Sequence, residues 1–281
     1  MKRDVIRRKA IEPKSSADEA DVRDSGVQSV DRALSIIETL AEDDEGYRLS
    51  DLAIRTGLST STVHRLLGTL ENRRFVQFDR TQSKWHVGSR CFTVGATFAR
   101  RRNFAAQAIP YLRKLRDLTR ETANLAVVDD EFIVVLTRME SREIMRSLTR
   151  LGGRVAMVAS GVGKAVLATY SNEDVSAIIH HHGMPRLTEK SIVRPGELFK
   201  ELEKIRRQGY AVDDEEACMG LRCVAAVVFN DCAEPLAAIS VSGMAGRLTD
   251  ERLPQLGQTV RDVAAELTAA LGGVMPEMKA G

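Results

Sequence analysis

The segment LSDLAIRTGLSTSTVHRLLGTL constrains the fold of this chain more than any other part of it. A short amphipathic helix begins after Ser50 and ends at Gly57, since glycine readily takes the conformation that terminates a helix. Ser59 or Thr60 then caps a second helix. The inner stripe of that helix consists of Val63, Leu66, Leu67 and Leu70. Two helices joined by a short glycine-containing turn predict a helix-turn-helix.

The amino-terminal end of the second helix carries short hydroxyl side chains together with a histidine and an arginine. In a helix-turn-helix this end enters the DNA major groove, where such side chains reach base edges and phosphates. The residues predicted to contact DNA there are Ser59, Thr60, Ser61, Thr62, His64 and Arg65.

Two short strands, 75–78 and 84–87, follow the second helix and are joined by the polar turn DRTQS. A hairpin in this position is a wing, so the predicted domain at 27–88 is a winged helix-turn-helix. Four basic residues surround the hairpin where phosphates would pass, namely Arg73, Arg74, Arg80 and Lys84. Trp85, the single tryptophan, is predicted to anchor the core rather than to stack on a base.

Positive charge is concentrated in the same region. Residues 48–102 contain eleven Arg or Lys and three Asp or Glu, whereas the whole chain of 281 residues has a net charge of only +2. Residues 1–47 carry a net charge of −4 and residues 103–281 a net charge of −2. A basic segment within a nearly neutral chain indicates a binder of polyanions, here double-stranded DNA.

The segments outside the winged domain are predicted as follows. Residues 1–26 form a charged, disordered arm that is either a solvated tail or a DNA-touching arm. An apolar face at Val30, Leu34, Ile37 and Leu40 predicts a helix capped by Ser29. A linker helix spans 89–103, and 274–281 is a flexible tail. The absence of a signal peptide and of a membrane-spanning apolar run predicts a cytoplasmic protein with free thiols and no membrane partner.

From residue 104 to 273 helices and strands mix without regular alternation. Helical patterns are predicted around Ile109, Leu112, Leu115 and Leu118 and at 160–170, 173–181, about 196–208 and 253–271. They are interspersed with β-like segments at 124–128, 132–137, 144–147, 223–229 and 236–242. This order predicts an α+β domain with a mainly antiparallel sheet.

Two blocks of sequence resemble the IclR family of bacterial transcription regulators. SVDRALSIIETLA…LSDLAIRTGLSTSTVHRLLGTLENRRFV resembles its winged-helix domain, and ASGVGKAVLA…GYAVDDEEACMGLRCVAAVVFNDCAEPLAAISVSG resembles its effector-binding domain. The resemblance implies a GAF-like sensing domain, a palindromic operator and a homo-oligomer, either a dimer or a dimer of dimers. The distal block is most similar to members that sense 2-oxo acids such as glyoxylate or pyruvate.

The resemblance also implies a set of effector-binding residues. They are Gly161, Val162, Asp213, Leu221, Cys223, Ser240 and Ser242. Val162 stands where the glyoxylate-sensing pattern has alanine, which predicts a pocket of different shape. An aromatic acid is the alternative effector, and the bulk of Val162, Met219 and Leu221 argues against it.

Each of these residues also has an ordinary structural interpretation. Ser160 to Gly163 form either an anion-binding helix start or a plain helix cap. Ser240 and Ser242 lie on the same side of a strand. That side either lines a cavity or is an exposed polar face. Cys223 is either a small core residue or a pocket thiol. Asp213 repels a carboxylate but accepts a hydrogen bond from a hydroxyl, such as that of a hydrated aldehyde.

Two other classes of function are disfavoured. An enzyme needs a base beside its nucleophile, but the five histidines lie in the DNA-binding domain or in the run 180–182. That run points in three directions, so neither a metal site nor a cofactor is predicted. GVGKA lacks the Ser or Thr of a magnesium-binding phosphate loop. A constitutive architectural DNA binder is disfavoured because the large distal domain is slightly acidic.

Overall fold

A computed structural model describes residues 27–101, 104–129, 131–141 and 152–276. The predicted arm 1–26, residues 277–281 of the predicted tail and the β-like segment 144–147 lie outside these ranges. The chain divides into two compact units, Met1–Arg100 and Arg101–Gly281. Within the described ranges, no helix is both long and apolar enough to cross a membrane.

The amino-terminal unit consists of helices and one hairpin. Its elements are α1 (Gln28–Leu40), α2 (Leu49–Thr56), α3 (Thr60–Asn72), β1 (Val76–Asp79), β2 (Lys84–Val87) and α4 (Ser89–Arg101). This is the predicted winged helix-turn-helix followed by the predicted linker helix.

Local sequence explains the turn between α2 and α3. Gly57 ends α2 with a left-handed backbone at φ 65°, a conformation that glycine adopts without steric cost. Ser59 caps α3, because its hydroxyl accepts a hydrogen bond from the amide of Thr62 at 3.3 Å. The inner faces of both helices then pack on a shared core that includes Leu52 and Leu67.

Trp85 is buried in this core, as predicted. Its ring packs against Phe78 of the facing strand, with the ring centroids 4.8 Å apart. The apolar face predicted for α1 was only partly correct: Leu40 is buried and Ile37 is half-buried, whereas Val30 and Leu34 are more than half exposed. Ile36, which was not predicted to face inward, is fully buried. Ser29 does not cap this helix, since the helix begins one residue earlier at Gln28.

The carboxy-terminal unit begins with a helix and contains one sheet. Its elements are α5 (Phe104–Thr119), β3 (Thr122–Asp129), β4 (Phe132–Met139), β5 (Arg154–Ala156), a 3₁₀ turn (Met157–Ala159), α6 (Gly161–Leu167), α7 (Asn172–His182), α8 (Pro195–Gln208), β6 (Ala211–Asp214), β7 (Leu221–Phe229), β8 (Pro235–Met244) and α9 (Leu253–Ala270).

The six strands form one antiparallel sheet in the order β5-β4-β3-β8-β7-β6, which confirms the α+β prediction. Strands β5 and β6 were not predicted. They lie at the two edges of the sheet and are only three and four residues long, so neither has room for a recognisable alternation.

Each face of the sheet buries a separate core. One core lies between the sheet and helices α5 and α9, and includes Leu112, Ile239 and Val260. The opposite core packs Ala225 and Ala238 against the helices from α6 to α8. Because side chains alternate along a strand, this second face also receives Cys223, Ser240 and Ser242.

Candidate DNA-binding surface and effector site

The amino-terminal end of α3 presents a polar surface. Thr60, Ser61, His64 and Arg65 are exposed on it, as required of side chains that reach base edges. Thr62 differs, because it is half-buried and its hydroxyl lies 2.8 Å from that of Ser59. The local role of Thr62 is therefore to complete the cap of the helix.

The basic residues around the wing fall into two groups. Arg80 is exposed in the turn of the hairpin, and Lys84 is half-buried at the start of β2. Arg73 and Arg74 follow the carboxy-terminal end of α3, about 20 Å from its start at 1.5 Å per residue. There they line a surface cavity of about 330 Å³ together with Arg90, which the sequence reasoning did not select.

Four of the predicted effector residues lie on neighbouring strands of one sheet face. In the strand register, Asp213 of β6 is opposite Cys223 of β7, and Cys223 is opposite Ser242 of β8. Ser240 lies two positions along β8 on the same face. These side chains, with Asn124, are here called the polar row.

Asn124 belongs to the polar row but was not predicted. It is opposite Ser240 across β3 and β8, and its Nδ2 donates to the hydroxyls of Ser240 at 3.4 Å and Ser242 at 3.2 Å. Only 5 % of the surface of Asn124 is exposed, yet its Oδ1 has no hydrogen-bond partner among the described residues. A buried amide oxygen without a donor costs about 1–3 kcal/mol, so a water molecule or a ligand that donates a hydrogen bond to this atom would be stabilised there.

Asp213 is buried at the edge of the row. Its Oδ1 accepts hydrogen bonds from the amides of Glu216 at 2.8 Å and Ala217 at 3.4 Å. Burial, with the nearby charge of Glu216, raises the pKa of Asp213 to about 6, and these hydrogen bonds oppose that rise. This carboxyl group therefore takes up a proton at a higher pH than an exposed aspartate does.

Cys223 is poorly suited to covalent chemistry. Burial raises the pKa of its thiol to about 11, and the charge of Asp213 acts in the same direction. Since the thiolate is the nucleophile, a thiol with this pKa adds slowly to an aldehyde near pH 7. In the polar row Cys223 therefore acts as a small, weakly polar side chain that fills space between Asp213 and Ser242.

The first residues of α6 pack closely against the polar row. A side chain at Gly161 would lie only 3.3 Å from the carbonyl oxygen of Cys223 and 3.4 Å from Cβ of Asp213. The hydroxyl of Ser160 accepts a hydrogen bond from the amide of Gly163 at 3.0 Å. The amides of Gly161 and Val162 are the remaining donors of the first turn.

Lys164 holds α6 against the segment around Asp213. Its ammonium group is fully buried, donates to the carbonyl oxygen of Val212 at 2.7 Å and is paired with Glu216. It therefore ties α6 to the segment that holds Asp213. Burial raises the pKa of Glu216, whose Oε2 lacks a partner in the described part of the chain.

The apolar residues predicted to set the size of the site are distributed differently. Val162 is buried and packs into the core beside the row, and Leu221 is half-buried. Met219, which was expected to oppose a larger ligand, is 54 % exposed because it lies in the turn before β7. Its side chain does not narrow the site in this structure.

Comparison with known proteins places these two units in one family. A family model of the bacterial transcriptional regulator IclR C-terminal domain matches residues 96–269, and a model of the IclR helix-turn-helix domain matches residues 29–80. The chain belongs to the IclR family of bacterial transcriptional regulators. It is thus a DNA-binding transcription regulator with an effector domain, and not an enzyme.

Individual relatives cover nearly the whole chain. The acetate operon repressor of Salmonella typhimurium is 40 % identical over 249 residues, which are 88 % of this chain and 91 % of the relative. The regulator BhcR of Paracoccus denitrificans is 37 % identical over 98 % of this chain and 97 % of its own length. An IclR homologue from Microbacterium hydrocarbonoxydans, solved with 4-hydroxybenzoate, shares the fold with a TM-score of 0.71 at 22 % identity, covering 86 % of this chain and 98 % of the homologue.

Proposed function

We propose that this IclR-family protein is a repressor whose affinity for a palindromic operator is changed by a small 2-oxo acid, with glyoxylate the first candidate and pyruvate the second. The observation that carries the proposal is the polar row with the unpartnered Oδ1 of Asn124. The repressor assignment is supported by the Salmonella relative, which is a repressor by name.

The polar groups of the site suit a small, hydrated carboxylate. The amides of Gly161 and Val162 are suitable donors for its carboxylate oxygens. The gem-diol of hydrated glyoxylate has hydroxyl groups that can donate to Oδ1 of Asn124 and to the carboxyl group of Asp213. Ser240 and Ser242 supply further hydroxyls on the same face.

At the DNA, two α3 helices of a homodimer would enter successive major grooves of the operator. Ser59, Thr60, Ser61, His64 and Arg65 are the proposed base-reading set. The groups Arg73, Arg74, Arg80 and Lys84 are proposed to contact phosphates. An effector can change operator affinity only if it binds the DNA-competent and DNA-incompetent states with different affinity.

Calorimetric titration of the full chain tests the ligand class. Glyoxylate, pyruvate and 4-hydroxybenzoate are titrated into the wild type, into Ser240→Ala/Ser242→Ala, and into the control Ser176→Ala, whose serine is exposed on α7. We expect saturable glyoxylate binding that is lost in the double variant and kept in the control. Equal binding in all three proteins would overturn the site.

An aromatic acid is the second candidate effector. Two observations favour it: the structural relative that was solved with 4-hydroxybenzoate, and the exposure of Met219, which leaves more room than the sequence suggested. Heat from 4-hydroxybenzoate alone would keep the effector site and replace the 2-oxo acid by an aromatic one.

A gel-shift assay then tests the response. A DNA site is first selected from random duplexes with the full chain, and its affinity is measured with and without the ligand that bound in the titration. The wild type should respond to that ligand, whereas Ser240→Ala/Ser242→Ala should bind the same DNA with unchanged affinity in both conditions.

A further inference from the structure

Two histidines and a glutamate meet on the surface of the carboxy-terminal unit, away from the polar row. Glu131 lies in the tight turn between β3 and β4, and His181 and His182 are the last two residues of α7. One potential ligand atom from each residue lies within 4.8 Å of the other two. No other group of this kind occurs among the described residues.

The contact between the two elements is direct. Oε2 of Glu131 is 3.3 Å from Nδ1 of His181 and also contacts Nε2 of His182. The two imidazole rings lie edge to face with their centroids 4.5 Å apart. The histidine run alone offers no converging ligands, and Glu131, fifty positions earlier in the chain, adds a carboxylate beside it.

The surroundings favour a cation. The carboxy-terminal end of a helix carries partial negative charge, and α7 ends at His182. The guanidinium group of Arg154 lies over the ring of Phe132, 4.2 Å from its centroid, and that ring in turn packs against His182. His182 is therefore positioned by packing, while His181 remains 73 % exposed and free to adjust.

We propose that Glu131, His181 and His182 form a binding site for a divalent transition metal ion, with Zn²⁺ as the ion of choice. Imidazole nitrogen and carboxylate oxygen are ligands that suit Zn²⁺, and three protein ligands leave a fourth tetrahedral position for water. Bond lengths of about 2.0–2.2 Å require the three side chains to close slightly, which exposed side chains permit. The bound ion would clamp α7 to the β3–β4 turn.

The adjacent His180 offers a matched control, because it is exposed on the same helix end but lies outside the cluster. Zn²⁺ binding to the full chain is measured by equilibrium dialysis with the thiols kept reduced. The variants are His180→Ala, His181→Ala/His182→Ala and Glu131→Gln, each checked for an unchanged circular dichroism spectrum. Cys232→Ser serves as the control for the exposed thiol.

We expect one Zn²⁺ site in the wild type, in His180→Ala and in Cys232→Ser. Affinity should fall by about tenfold or more in Glu131→Gln and further in the double-histidine variant. Equal affinity in all variants, loss in Cys232→Ser, or an equal loss in His180→Ala would overturn the proposal. Because these residues are outside the polar row, effector binding and Zn²⁺ binding can fail separately.

Discussion

The buried carboxyl group of Asp213 shows how a single residue of the proposed effector site makes stability depend on pH. Its pKa is raised because the charged form loses hydration and lies near Glu216. The folded protein therefore keeps a proton that the unfolded chain releases near pH 4. Between about pH 4 and pH 6 the folded state binds more protons, so the free energy of unfolding falls as pH rises through this window.

Replacing Asp213 with asparagine should remove this dependence. We expect Asp213→Asn to be more stable than the wild type at pH 7.5, by at most about 3 kcal/mol, with the difference disappearing near pH 4. Calorimetric melting at pH 4.5, 6.0 and 7.5 measures it, and Asp231→Asn, an exposed residue, is the control. The control should follow the pH dependence of the wild type. If Asp213→Asn also follows it, the raised pKa of Asp213 is refuted.

How far the site was predictable also depends on single residues. Asp213, Cys223, Ser240 and Ser242 were named from a family resemblance, and the register of β6, β7 and β8 brings them together. Asn124 was missed because its strand precedes β8 by more than a hundred residues, and local pattern does not reveal which strands pair. The partners of Lys164 were hidden for the same reason.

At the scale of elements, α3 was predicted almost in full, whereas the short edge strands were not. A helix of thirteen residues carries a cap, a 3.6-residue stripe and a polar face in its own sequence. Strand β6 carries two adjacent carboxylates in four residues, and only pairing with β7 makes it a strand.

The length of α3 separates two kinds of DNA contact. Arg65→Ala, near the start of the helix, should weaken operator binding and relax sequence preference, at about 1–3 kcal/mol for a base contact. Arg73→Ala, at the far end, should weaken all duplexes equally and reduce the salt dependence by about one ion. Fluorescence anisotropy at several salt concentrations distinguishes them, and identical behaviour of the two variants would argue against this division of roles.

At the scale of the whole molecule, the amino-terminal unit exposes apolar side chains that a second subunit could cover. Val27, Val30 and Leu34 follow one face of α1 and are 67 %, 55 % and 53 % exposed. Phe92 of α4 is 81 % exposed. Apolar surface of this kind is typical of an interface, and the proposed homodimer would bury it while pairing two recognition helices.

Charges on these faces should separate the subunits. We expect Leu34→Glu/Phe92→Glu to sediment as a smaller species than the wild type and to bind the full operator much more weakly, because one α3 helix reads only a half-site. Leu187→Glu, a substitution at an exposed leucine of the other unit, is the control. A double variant that keeps the wild-type sedimentation coefficient would place the interface elsewhere.

The unpartnered oxygen of Asn124 also allows binding of a ligand to be measured through the stability of the protein itself. A compound that donates a hydrogen bond to this oxygen would bind only the folded protein, and at a concentration a hundred times its Kd it would add about 2.7 kcal/mol to stability. For a unit of this size that corresponds to a rise of roughly 5–10 °C in Tm. A collection of metabolites can therefore be searched by melting temperature alone, before any operator or target gene is known.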